Sequence, residues 1–259
     1  MSQDNRDAVR AQFGARAAGY VTSAGHAGGS DLGLLVDRLP KGPALTALDV
    51  ATGTGHTALA LAPHVASVVG LDLTPEMLAE AARLAATRGV ANVSWRQGDA
   101  HDLPYPDATF DILTVRRAAH HFADVARFLR EAHRVLKPAG TLGIVDQSVP
   151  DVPEAAALIE QMEKLRDGSH VRAWSPAQWR RLLEAAAFQT DFLEVTIERR
   201  DVDEWLELSG ADAAGERARV LAPLATASSE ALRGNGFVRD DGGRFAFDKL
   251  RVVVVARAV

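Results

Sequence analysis

The chain has 259 residues and 27.6 kDa, with 47% hydrophobic and 24% charged residues, an ordinary globular composition long enough for one to two domains. It contains no cysteine, which excludes disulfide frameworks, thiolate-ligated zinc or iron–sulfur sites and every thiolate nucleophile. A net charge of −5 and a pI of about 5.9 argue against a surface built to neutralise a nucleic-acid backbone.

In chain order, a polar, helix-leaning segment at 2–13 precedes a Gly-rich stretch, 14–33, that carries Tyr20 and His26. The apolar run ALTALDV at 44–50 ends in a Gly/Thr cluster and reads as a buried strand. A helix starts at His56, and ASVVGL at 66–71 is a second strand. Thr74 and Pro75 suit the N-cap and first position of a helix that Gly89 stops. Strands at 93–97, 110–115 and 141–145 continue the rhythm, with a helix at 125–135 before the last. Beyond Pro150 follow helices at 154–166 and 176–186, a strand at 192–198, a mostly helical insertion at 201–233 and a final strand at 250–256. This alternation predicts an α/β fold, a parallel sheet covered on both faces by helices.

Open parallel sheets bind ligands at the carboxyl ends of their strands, where strand order reverses. Asp49-Val-Ala51-Thr52-Gly53-Thr-Gly55 occupies such an end. Its glycines let the backbone turn and approach a ligand, and the helix start beyond offers amides to an anion. Asp72 closes the second strand, where an acid can accept both hydroxyls of a ribose. Gly53-Thr-Gly55-His-Thr-Ala58 also fits the dinucleotide pattern G-x-G-x-x-G/A, so a nicotinamide-dependent oxidoreductase is one reading. Asp49 favours another: a pyrophosphate avoids a carboxylate there, whereas an ammonium or a sulfonium, as in S-adenosylmethionine, is attracted to it. Asp99, after the third strand, suits an adenine amino group. Neither Tyr20 nor Tyr105 has a Lys four residues on, which excludes a Tyr-x-x-x-Lys dehydrogenase.

Taken together, DVATGTG, VVGLDLTPEML, QGDAHDLPYPDATFDI and EAHRVLKPAGTLGIVD resemble class I S-adenosylmethionine-dependent methyltransferases (methyltransferase type 11). They look most like the branch of ubiquinone/menaquinone-biosynthesis C-methyltransferases. The resemblance implies a Rossmann-like class I methyltransferase fold: a seven-stranded, mostly parallel sheet with helices on both faces and a helical cap. Residues 1–40 would form an N-terminal helical lid, 41–150 the cofactor-binding core, and 151–259 a substrate-side helical cap plus the last strands of the same sheet. The implied cofactor is S-adenosylmethionine, its product S-adenosylhomocysteine, and the acceptor a small organic molecule methylated at carbon, oxygen or nitrogen. Asp49, Gly53 and Gly55 would hold the methionine end, with Ala51 and Thr52 of the same loop, and Asp72 the ribose. Leu73 and Met77 would lie against the adenine, Asp99 would bond its amino group with the Ala100 amide beside it, and Arg116 would line the cofactor with its backbone. Ala51 stands where many relatives have Gly. Tyr20 and His26 are candidates for a lid over the cofactor.

Eight histidines are present. His64 and His133 read as surface or packing residues, His56 as capping or packing, and His101 as a residue of a loop surface. His120 and His121 follow the fourth strand, where this fold places groups beside the transferring methyl, and adjacent side chains diverge, so one at most should face the acceptor. His170 lies on a loop expected to rim the substrate, in which Arg166 and Asp167 could form an ion pair. These three are the candidate catalytic groups, acting on an acceptor that must lose a proton. No carboxylate stands at ligand spacing from the His pair, so no metal site is expected. Trp174, Trp179 and Trp205 suit core packing, or an aromatic or lipidic acceptor if one faces the pocket. The polar N-terminus and the absence of long apolar runs point to the cytoplasm without membrane insertion. A small-molecule partner, no nucleic acid and room for a homodimer complete the expectation, with a non-catalytic cofactor-binding module as the other reading.

Overall fold

A computed structural model of the chain describes residues 28–207, 214–239 and 244–259, together with 13, 14, 17 and 19. Tyr20 and His26 lie outside the described residues. The first helix described in full, α1 (Ser30–Arg38), stands where the sequence predicts the Gly-rich stretch to run on to Gly33. Leu32, Leu35 and Val36 recur at helical spacing and are buried against one face of the sheet, and that burial outweighs the helix cost of about 1 kcal/mol for Gly33.

Five parallel strands follow: β1 (Gly42–Val50), β2 (Val65–Asp72), β3 (Val93–Gln97), β4 (Phe110–Arg116) and β5 (Leu136–Ser148). Between them run α2 (His56–Leu61), α3 (Pro75–Thr87) and α4 (Val125–Val135). Gly89 adopts the left-handed conformation expected of a helix stop. Thr74 sits at the N-cap of α3 but its side chain makes no capping bond; its backbone N–H donates instead to Asp72. Asp124 caps α4 by accepting from the Arg127 amide.

The second half adds α5 (Pro153–Arg166), α6 (Pro176–Ala185), β6 (Phe188–Asp201), α7 (Val202–Glu207), α8 (Ala214–Leu221), α9 (Ser229–Gly234), β7 (Val238–Arg239) and β8 (Phe245–Ala258). Strand order is β3-β2-β1-β4-β5-β8-β6, with the two-residue β7 against β8. β8 runs antiparallel to both neighbours, from Thr141↔Arg257 through Ser148↔Leu250 on one side and along β6 on the other. The fold is therefore the Rossmann-like class I methyltransferase architecture, seven strands in the main order plus the short β7. One core cluster lies around Phe128, Leu129, Trp179 and Leu183, and α1 and α2 cover the opposite face. A third, around Met162, Trp205, Val220 and Phe247, belongs to the helices that follow β5 and β6. No described helix is long and apolar enough to cross a membrane. The crossover falls between β1 and β4, so the crevice for a ligand opens at their carboxyl ends.

Candidate active site

At the end of β1, Asp49 is buried and both its oxygens are held: Oδ2 accepts from Thr52 Oγ1 at 2.6 Å, Oδ1 from Thr114 Oγ1 at 2.7 Å. Burial pushes this carboxyl up to about 6, against the opposing effect of Thr52, Thr114 and Arg116. The chain then turns through left-handed Ala51, Gly53 and Gly55. A Cβ on Gly55 would lie 2.5 Å from Trp95, so packing alone requires glycine there. A Cβ on Gly53 would meet nothing within 4 Å, so the loop is open on that side. Asp72, at the end of β2, accepts from the Gly53 amide at 2.8 Å and the Thr74 amide at 2.9 Å. Burial raises its pKa against those bonds.

Beyond β3, Asp99 Oδ1 accepts from His101 N and Nδ1 at 2.9 and 2.8 Å, and His101 Nε2 accepts from the Asp124 amide at 3.3 Å. His101 is thus neither exposed nor a loop-surface residue: it is buried and ties the Asp99 turn to the start of α4. The apolar Met77 and Ala100 are buried and Leu73 is half-buried. Arg116, at the end of β4, turns its side chain away to pair with Asp31 of α1 at 3.0 Å.

Past β4, a one-turn 3₁₀ segment, Ala119–His121, carries the paired histidines. The Asp146 carboxylate on β5 accepts from His120 N at 2.7 Å and from His120 Nδ1 at 2.5 Å. The expected divergence of the two rings fails, because the tight 3₁₀ turn brings them together with centroids 4.0 Å apart and planes tilted by 44°. His121 Nδ1 donates to the Ser169 carbonyl at 3.0 Å, and burial, reinforced by His120, pushes its pKa down to about 3. His170 joins the group 5.6 Å from His120; its Nδ1 accepts from Gln147 Nε2 at 2.9 Å and its Nε2 donates to Glu160 at 3.2 Å. The Val171 and Arg172 amides both donate to the His120 carbonyl, which docks the His170 loop onto the strand-four loop. Arg166 pairs with Glu163 rather than with Asp167, whose carboxylate instead accepts from Ser169.

Residues 48–144 match the family described as Methyltransferase domain. YcgJ of Bacillus subtilis (strain 168), an uncharacterized methyltransferase, is 38% identical over 203 residues, which cover 78% of this chain and 80% of that protein. This chain belongs to the methyltransferase family. The crystal structure of YcgJ has a TM-score of 0.81 to it at 33% identity, over 88% of this chain and 97% of that one. A demethylmenaquinone methyltransferase of Thermus thermophilus is 41% identical over 125 residues, 48% of this chain and 54% of that protein. The activity is S-adenosylmethionine-dependent methyl transfer.

The residues of this methyltransferase fit that cofactor. The open side of Gly53 leaves room for a ligand against the backbone, and two buried acids, Asp49 and Asp72, flank the same turn. A buried carboxylate pushed to about 6 is relieved by a cationic ligand. Sequence reasoning missed Asp146, Gln147 and Glu160, which hold the histidines. Asp146 had a readable signal: like Asp49 and Asp72, it is an acid at the far end of an apolar strand.

Proposed function

We propose that this methyltransferase transfers methyl to a small organic acceptor lying over the ends of β4 and β5, with His120 as the base. In this reading Asp49, Ala51, Thr52, Gly53 and Gly55 hold the methionine end of S-adenosylmethionine. Asp72 takes the ribose, while Leu73, Met77, Asp99, Ala100 and the Arg116 backbone take the rest. The cofactor supplies an electrophilic methyl on a sulfonium, so alignment of the acceptor carries much of the rate. Residues 41–150 form the cofactor side, and 151–259 close over the acceptor.

The observation that carries the proposal is the His120–Asp146 pair. Asp146 occupies Nδ1, so Nε2, which has no hydrogen-bond partner among the described residues, is the atom left to take a proton from the acceptor. The carboxylate fixes this tautomer and stabilises the imidazolium that forms. His121 is a poor base, because its buried ring is held neutral. His170 has both ring nitrogens engaged and acts by shaping the loop over His120. The test is steady-state kinetics on an acceptor found by screening. His120→Gln and Asp146→Asn should each lower kcat by about 10²–10⁴ and leave the affinity for S-adenosylmethionine unchanged. If both variants keep parental kcat, catalysis is alignment alone and the base assignment is wrong.

A further inference from the structure

Asp31 is nearly inaccessible, at 2% exposure of its side chain, yet three guanidiniums converge on it. Arg116 Nη2 reaches Oδ1 at 3.0 Å, and Arg117 Nε and Nη2 reach Oδ2 at 2.9 Å. Arg251 Nε stands 3.6 Å away, beyond hydrogen-bond distance. A second acid, Glu198, has its Oε1 taken by Arg200 at 2.6 Å, leaving Oε2 3.6 Å from Arg251 Nη2. Among the described residues, Arg117, Arg200 and Arg251 thus share the carboxylates of Asp31 and Glu198. Arg251 Nε is buried with no hydrogen-bond partner.

A staple between α1 and the sheet explains Asp31, Arg116 and Arg117, but it does not need a third cation held at arm's length. Arg117 also sits in the left-handed region at φ 56, a backbone conformation that costs an L-residue energy and that turns its side chain into the cluster. Burial and mutual repulsion, from Arg116 on Arg117 and from Arg117 on Arg251, pull both guanidiniums below their usual range. Among the described residues this cluster holds more guanidiniums than carboxylates. Arg117 and Arg251 keep 14% and 15% of their side chains open to solvent, so an outside group can reach them.

The position is informative. Arg117 is three residues before His120, and Arg251 is in register with Gln147, the partner of His170 and the neighbour of Asp146. From this we infer that Arg117 and Arg251 form a carboxylate-binding cradle beside the methyl-transfer site, with Asp31 holding the two forks in place. The inference rests on the proposed cofactor and acceptor positions. It makes the ligand's acid group the fixed end from which the reacting atom is aimed toward His120. A planar carboxylate suits guanidinium forks better than a spherical anion does. That carboxylate belongs either to the acceptor or to the amino-acid end of the cofactor.

Titration calorimetry on the full chain separates these sources. In the first arm the protein is saturated with S-adenosylhomocysteine and titrated with benzoate, then with benzamide, its uncharged counterpart. For an acceptor carboxylate, benzoate binds at least tenfold tighter than benzamide, Arg251→Gln erases that preference, and Arg251→Lys restores part of it. In the second arm S-adenosylhomocysteine is compared with methylthioadenosine, which lacks the amino-acid end. For a cofactor carboxylate, Arg251→Gln weakens S-adenosylhomocysteine at least tenfold and leaves methylthioadenosine unchanged. The cradle is overturned if folded Arg117→Gln and Arg251→Gln change neither arm. If the parent binds no S-adenosylhomocysteine, the cofactor placement has failed instead, and benzoate against benzamide on the free protein still reads the cradle.

Discussion

Asp49 shows what a single residue gives up in stability to serve a site. Its carboxyl is raised to about 6 by burial, so the folded chain holds the proton more tightly than the unfolded one. A group raised in this way contributes stability fully below its unfolded value of 3.8 and loses that contribution as pH climbs through about 6. Above pH 7 the ligand-free protein therefore carries a penalty of up to about 3 kcal/mol. Asp49→Asn should be more stable than the parent at pH 8, with the gap closing toward pH 4, yet bind S-adenosylmethionine at least tenfold more weakly. Urea denaturation across pH 4–8 tests the first part, and a pH-independent gap would refute it. The glycines divide the same way. Gly55→Ala drives a methyl into Trp95 at a left-handed position and should cost about 2–4 kcal/mol. Gly53→Ala meets no atom and should cost only about 1–2 kcal/mol while abolishing cofactor binding. Equal thermal stability of the two variants would show that the loop is not built as described. The placement of Asp49 and Asp72 at strand ends, and of the two glycines in the turn, was legible because an apolar strand followed by a turn advertises its end. The partners of His120 and His170 were not, because contacts such as Asp146 to His120 span 26 residues and local sequence does not encode them.

At the scale of elements, amphipathic and strand patterns read well where burial follows a simple period. The starts of β3, β4 and α4 coincide with expectation. β5, β6 and β8 are longer than expected: β5 continues through Asp146, Gln147 and Ser148, polar residues that look like a loop but pair with β8. α1 was hidden by Gly33 and by the glycines just before it. Arg166 and Asp167 looked like a pair in sequence, but the helix turn sets Arg166 beside Glu163, three residues back. Glu163 then bridges Arg166 at 2.8 Å and Lys249 of β8 at 3.0 Å, with Trp205 beneath both cations. Burial would raise the Glu163 carboxyl, but Arg166 and Lys249 outweigh it and hold it well below the usual carboxylate range, while burial pushes Lys249 down to about 8. A depressed acid contributes stability above its unfolded value of 4.5, and that contribution is lost as pH falls through the folded value. Glu163→Gln strands two buried cations and should cost about 3–5 kcal/mol at pH 7. The loss should shrink at pH 9, because Lys249 can then shed its proton. Trp205 fluorescence during urea unfolding at the two pH values reads this directly; an equal loss at both would mean that Lys249 keeps its charge.

The whole molecule is arranged so that sites distant in sequence share one crevice. Parallel strands point their carboxyl ends the same way, and the crossover between β1 and β4 leaves a gap at that end of the sheet, where separate connections carry Asp49, Asp72, Asp99 and His120. The strand β8 is inserted antiparallel between β5 and β6, and its Phe247 and Lys249 hold Trp205 near the end of β5 that carries Asp146. On the proposed placement a ligand in the crevice is held by elements from both halves, and its binding free energy should appear in global unfolding. At a hundredfold excess over Kd the linkage amounts to about 2.7 kcal/mol, which for a chain of this size raises Tm by about 5–10 °C. S-adenosylhomocysteine should produce that shift in differential scanning calorimetry, and it should grow with the logarithm of ligand concentration. NADH should produce none, because its pyrophosphate would have to settle against Asp49, whose carboxylate in the proposed placement is neutralised by the ammonium of the methionine end. An NADH shift equal to that of S-adenosylhomocysteine would return the Gly53–Gly55 loop to the dinucleotide reading that its pattern alone allows.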